Sequence, residues 1–274
     1  MSLTSESLTY IDPARIYLNF DLPGLKNYEK SFQDSCGLAS YTDSENTLIN
    51  SVKEFIERQS FIATWLTKKT NVQYNINEVN NLFHGKNEML ENHFSTFECF
   101  DISIFPGIYV LFLIGYSDQI YSVGIGTSTS FKEAYRSALN EFYQCFDAAI
   151  ASYNNLNKKA VDIYKDYYMN IGVDNFKKAY VFLKKSPVQN IPFNEVQKDN
   201  IDNLINIINF FGIEAYLISI PSQVTNANIR ITKVFSYDAF PHMNTAILKP
   251  ENYKISKMLN IKEFPNKGIP IPFP

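Results

Sequence analysis

The chain has 274 residues, 45% hydrophobic and 15% aromatic, enough to bury a large core as one domain or two closely fused ones. Its formal net charge of -3 gives no basic footprint for a nucleic-acid backbone, so nucleic acid is excluded as the default partner. The longest apolar run, Phe105 to Tyr116, is far too short to cross a bilayer and reads as a buried strand, and polar Met1 to Leu8 does not read as a secretory signal; no membrane partner and a cytoplasmic location are expected.

In chain order, the first strong signal begins at Thr42. Thr42 and Glu45 have capping-box spacing, and Leu48, Val52, Phe55 and Ile62 follow at helical period, which predicts the first major helix. After an Asn-rich stretch, Ile102 to Gly115 is dense in strand-forming residues, and a Ser117-Asp118 turn leads into Gln119 to Val123, which predicts a two-stranded hairpin. Ser130 and Glu133 then open a second major helix marked by Ala134, Ala138, Phe142 and Ala149. Ile201, Leu204, Ile208 and Phe211 form a third stripe that stops at Gly212, and Ile213 to Ile220 switches to a strand pattern. Strands interleaved with helices predict an α/β (mixed α+β) fold, with mixed sheets covered by helices. No composition shift marks a domain boundary; the last ten residues carry Pro265, Pro270, Pro272 and Pro274.

The first helix carries Ser51, Glu54, Glu57 and Arg58; Ser51, Glu54 and Arg58 line one edge of its apolar stripe, and Glu57 lies just beyond Glu54. Glu54 and Arg58 also have the i, i+4 spacing of an ordinary surface ion pair. On the second helix Glu141 falls among Ala138, Phe142 and Cys145, with Gln144 one turn on, so its carboxylate borders the buried face and needs a metal ion, a hydrogen-bond network or a cation such as Arg136 opposite it. Carboxylates from two helices facing a common space suit Mg2+, and the planar guanidinium of Arg58 suits a phosphate. There is no phosphate-cradling Gly-Lys loop, so bound ATP would be held by side chains and metal. The scattered Cys36, Cys99 and Cys145 read as buried free thiols, and His84, His93 and His242 lack zinc-ligand spacing.

Together these residues resemble the YcaO-domain family. Ser35-Cys36-Gly37-Leu38-Ala39-Ser40 followed by Ser51, Glu54, Glu57 and Arg58 resembles its first signature; Gly124-Ile125-Gly126 followed by Ala138-Leu139-Asn140-Glu141-Phe142-Tyr143-Gln144 resembles its glycine turn and Glu-x-x-Gln helix. Gly212 to Tyr216 is similar to its late helix-Gly-strand unit, and Pro270-Ile271-Pro272-Phe273-Pro274 is similar to the PxPxP terminus of its azoline-forming branch. The sequence departs from the pattern at Leu38, where a lysine is common, and at Cys145, where an arginine sometimes follows the Gln.

The resemblance spans about residues 35–274 and implies one YcaO-like domain over that range, with an ATP site between helices, a weakly assigned segment over 1–34 and a tail over 265–274. It implies an ATP-dependent cyclodehydratase that phosphorylates backbone amide oxygens of a precursor peptide to form thiazoline or oxazoline rings from Cys, Ser or Thr. Ser51, Glu54, Arg58, Glu141 and Gln144 would contact ATP; Glu54, Glu57 and Glu141 would hold Mg2+; and the Pro274 carboxylate, carried on a stiff proline rod, would act as general base. The implied partners are a separate leader-binding protein resembling ubiquitin-activating enzymes and a flavin dehydrogenase, in a homodimer or larger complex. The rivals are thioamide or amidine-macrocycle chemistry in the same family and a non-catalytic scaffold.

Overall fold

The computed structural model describes residues 1–16 except 4 and 6, then 34–75, 78, 93–153, 167, 170–192, 198–222 and 228–273. In chain order the elements are β1 (Leu38–Tyr41), α1 (Ser44–Thr67), β2 (Val72–Tyr74), β3 (Thr96–Asp101), β4 (Tyr109–Tyr116), β5 (Tyr121–Ser128), α2 (Phe131–Tyr153), α3 (Val173–Tyr180), β6 (Val188–Gln189), α4 (Ile201–Phe210), β7 (Tyr216–Ile220), β8 (Arg230–Phe235) and α5 (Lys254–Met258). They make the mixed α/β architecture expected from the alternation of patterns. The chain divides into two compact units, the first from residues Met1–Leu66, Ile104–Gly107 and Asp199–Ile269, the second from Thr67–Ser103, Ile108–Lys198 and Pro270–Pro274.

The first unit holds an antiparallel sheet in the order β1-β8-β7, with Leu38 opposite Lys233 and Tyr216 opposite Phe235. Its long helix α1 begins one residue later than a Thr42 cap would place it. Asp43 is the cap instead: its carboxylate accepts the Asn46 backbone N–H at 2.7 Å, satisfying an otherwise orphaned donor of the first turn. From Phe61 to Leu66 the helix is buried on every side. Polar anchors fix it there. Gln59 clamps Phe240, donating to its carbonyl at 2.9 Å and accepting from its N–H at 2.8 Å, and the Trp65 indole donates to the Ile269 carbonyl at 3.1 Å.

The second unit holds a sheet in the order β5-β4-β3-β2-β6, antiparallel except where β6 joins β2. Side chains alternate between its two faces. Cys99, Leu111 and Leu113 pack with Ala134, Ala138 and Phe142 of α2. On the opposite face Phe112 meets Tyr180 and Phe273, and Tyr121 stacks on Phe176 of α3 at 4.0 Å.

Two strand expectations are corrected. The strand predicted from Ile102 starts only at Tyr109, because Pro106 has no N–H to pair and Gly107 takes a φ of 77°. The other concerns Gly124-Ile125-Gly126, expected as a turn: the three residues lie in the middle of β5. A Cβ at Gly126 would stand 2.3 Å from the Ala134 carbonyl oxygen, and one at Gly124 would stand 2.1 Å from that of Ala138. These glycines are needed for the approach of a helix backbone to a strand, not for a reversal of the chain.

Candidate functional site

The expected site residues fall on α1 of the first unit and α2 of the second, and each group has its own geometry. On α1, one guanidinium serves two carboxylates: Arg58 Nε donates to Glu54 Oε1 at 2.7 Å, and Arg58 Nη2 lies 3.7 Å from Glu57 Oε1. This is more than the exposed surface pair that the i, i+4 spacing alone would suggest. The side chains of Glu54, Arg58 and Glu57 are only 24%, 14% and 9% exposed, so their charges interact in a medium less screening than water. Ser51, expected as an ATP contact, is engaged within the chain. Its buried hydroxyl donates to the Gly37 carbonyl at 2.6 Å, tying the Cys36-Gly37 corner to the helix. That corner requires glycine, since Gly37 has a φ of 73° and a Cβ there would meet the Val234 carbonyl oxygen at 2.2 Å.

Beside this corner lies a cluster that reading the sequence missed. Asp34 is pinned by two backbone donors, with Oδ1 accepting from Cys36 N–H at 2.7 Å and Oδ2 from Met243 N–H at 2.8 Å. Its carbonyl accepts from Nζ of Lys233, a residue 2% exposed that stands opposite Leu38 across the β1–β8 ladder. Among the described residues that ammonium meets no carboxylate at ion-pair distance. Burial lowers the Lys233 pKa, while the neighbouring Cys36 and Asp34 act in the opposite direction. A buried, singly bonded cation is costly unless an anion completes it. The available sequence signal is a lone lysine beside Val234-Phe235 inside a strand. Cys36 itself is held as a thiol, since burial raises its pKa and Asp34 adds to the effect, so it is no nucleophile. His242 is buried and pushed down to about 4 by desolvation, hence neutral at pH 7.

On α2, Glu141 Oε2 accepts the backbone N–H of Ile125 at 2.7 Å, a donor of the edge strand β5. This hydrogen bond holds the carboxylate at the border of the core; Arg136, the ordinary partner considered from sequence, pairs instead with Glu133. Gln144 is exposed on the same helix. Pro274 lies outside the described residues, but the residues before it do not form a solvated rod: Ile271, Pro272 and Phe273 are buried, and Tyr180 Oη donates to the Pro272 carbonyl at 3.2 Å.

The donor set fits magnesium and a nucleotide. Glu54 and Glu57 offer hard carboxylate oxygens on one helix, and among the described residues no three His, Cys, Asp or Glu side chains form a ready-made metal cage. Mg2+ commonly binds through one or two carboxylates and keeps waters and phosphate oxygens for the rest of its shell. Arg58 and Lys233 are the cations that would face those phosphates. Among the described residues no helix is long and apolar enough to cross a membrane.

Residues 1–236 match the family model described as YcaO cyclodehydratase, ATP- and Mg2+-binding. The chain is 26% identical over 258 residues to the microcin B17-processing protein McbD of Escherichia coli, covering 88% of this chain and 63% of that protein, so it spans less than two thirds of the relative's length. Its fold is similar to a chain of the E. coli microcin synthetase McbBCD complex with pro-MccB17 bound (TM-score 0.65, 20% identity, 88% of this chain and 63% of that one). It is also similar to a heterocyclase in complex with substrate and cofactor (TM-score 0.77, 16% identity, 99% of this chain and 37% of that one).

Proposed function

The chain belongs to the YcaO family, and we propose that it acts as the ATP-dependent cyclodehydratase of a peptide-modifying synthetase, forming thiazoline or oxazoline rings in a precursor peptide. In this reaction a Cys, Ser or Thr side chain adds to the carbonyl carbon of the preceding amide. The former carbonyl oxygen takes a phosphoryl group from ATP, releasing ADP. It then departs as phosphate while the amide nitrogen loses its proton and the C=N bond of the ring forms. Bound Mg-ATP supplies the chemistry that water cannot, turning a poor leaving group into a good one.

The protein's part is positioning and electrostatics. Arg58, fixed between Glu54 and Glu57, brings a positively charged guanidinium to phosphate, and Lys233 adds a second buried positive charge. In the first unit Glu54 and Glu57 are the candidate oxygen ligands for magnesium, and Ser51 and Asp34 hold the corner that carries Cys36 and Gly37; in the second, Glu141 is the candidate metal ligand and Gln144 the candidate nucleotide contact. The observation that carries the reading is this guanidinium-bridged pair of carboxylates in a chain matching an ATP- and Mg2+-binding family over residues 1–236. Since the related microcin synthetase was solved as an McbBCD complex with pro-MccB17 bound, the substrate here is taken to be a precursor peptide delivered by a separate leader-binding protein, with a flavin dehydrogenase available to oxidise the product ring.

The test is calorimetric titration of the chain with a non-hydrolysable ATP analogue and Mg2+. Wild type binds; Glu54→Ala and Glu141→Ala each abolish binding while circular dichroism shows an intact fold. Absence of binding by a folded wild-type chain would overturn the assignment and leave a scaffold.

A further inference from the structure

The second unit carries a groove unrelated to the carboxylates of α2. It has a volume of about 260 Å³ and a floor made by Phe100 of β3, Ile114 of β4 and Phe176 of α3. That is below the range of a cofactor pocket and suits one or two side chains of a segment laid across it. Its rim is basic for a reason visible in sequence. Lys177-Lys178 and Lys184-Lys185 lie seven residues apart, two helical turns, along α3 and the 3-10 turn Val181–Lys185 that continues it. Lys177 Nζ stands 4.8 Å and Lys184 Nζ 5.7 Å from the centroid of the Tyr116 ring, and Lys184 Nζ bonds the Tyr116 hydroxyl at 3.0 Å.

Three lysines elsewhere pair with acids: Lys53 with Asp199, Lys254 with Asp238 and Lys267 with Glu251. None of the three lysines lining the groove, Lys177, Lys178 and Lys184, makes an ion pair among the described residues, and Glu98 is the one carboxylate in its lining. A chain of net charge -3 therefore sets three lysines without an ion pair among the described residues within eight residues, beside an apolar floor and a Val181 that is 58% exposed.

We propose that this groove docks an acidic polypeptide segment in which Asp or Glu residues flank an aromatic or aliphatic one, the acids meeting Lys177 and Lys184 and the apolar side chain entering over Phe100 and Phe176. Tyr116, held between the two lysines, sets their spacing and so the spacing of acids that fits. The charges are at the rim, so they govern approach and salt dependence, while the apolar insertion discriminates among acidic sequences. The surface lies in one unit and needs no nucleotide, so it stands or falls separately from the ATP assignment.

The experiment uses the full chain without nucleotide and fluorescence anisotropy of a short labelled peptide with Glu on both sides of a Phe-Leu pair. Binding is expected. It should weaken about tenfold or more in Lys177→Glu/Lys184→Glu, fall with added salt, and be lost when the Phe-Leu pair of the peptide becomes Ser-Ser. Lys184 is exposed and Lys177 half-buried at the rim, and an unchanged circular dichroism spectrum and thermal midpoint of the variant serve as the control for folding. No binding to the wild type, equal binding by the variant, or equal binding of a single-stranded oligonucleotide of the same charge would overturn the proposal, the last by showing a generic polyanion patch.

Discussion

Lys233 is the residue whose environment departs furthest from its chemical preference. It is a buried ammonium that donates to the Asp34 carbonyl and meets no carboxylate at ion-pair distance among the described residues, next to a thiol that burial keeps protonated. A buried cation without an ion-pair partner opposes folding of the free protein, while losing a charge-assisted contact to phosphate costs about 1.5–3 kcal/mol. Lys233→Met is therefore expected to keep or raise the thermal midpoint and to weaken binding of the ATP analogue about tenfold or more. Calorimetry paired with thermal unfolding separates this from a packing role, which would lower the midpoint and spare affinity. Ser51 shows the opposite situation. Its position on α1 was legible, but its bond to Gly37 was not, because that acceptor is 14 residues away in sequence and is brought in only by the β1–β8 pairing.

At the level of elements, the contact between β5 and α2 is the tightest test of the fold. Gly124 and Gly126 face the helix backbone at Ala138 and Ala134, which brings α2 close enough for Glu141 to reach the edge N–H of Ile125. An added methyl cannot be absorbed by a rotamer change when the obstacle is a carbonyl oxygen. Gly126→Ala is expected to destabilise the protein by about 3 kcal/mol or more, read from denaturant unfolding, and to reduce nucleotide affinity through displacement of Glu141. Gly107→Ala, where no atom lies within 4 Å of the new methyl, should cost only the roughly 1–2 kcal/mol of a positive φ. The period of the helices was readable because an apolar stripe repeats whatever it packs against. The strand through Gly124–Gly126 was not, because glycine signals a turn and a close backbone approach with the same letter.

Across the whole molecule, the chain passes between its two units several times, and short segments serve units remote from their sequence neighbours. Phe105 packs on Phe211 at 4.7 Å in the first unit, whereas Phe112, a few residues on, packs against Phe273 in the second. The proline-rich segment is consequently part of a core. Phe273→Ala is expected to lower stability by about 3–5 kcal/mol, measured by thermal unfolding, since a fully buried ring is removed. A loss of cyclisation in such a variant must accordingly be compared with nucleotide binding before a chemical role is given to this segment. The sequence by itself determined the alternation of helices and strands, the family, and Glu54, Glu57, Arg58 and Glu141 as candidate site residues, because side-chain period and i, i+3/i+4 spacing are local properties of a chain. Only the tertiary structure decided that Ser51 anchors a corner, that Lys233 and Asp34 stand beside Cys36, that glycines seat a helix on a strand, and that the tail is buried. Each of these depends on hydrogen bonds and contacts between residues far apart in sequence, which local pattern does not encode.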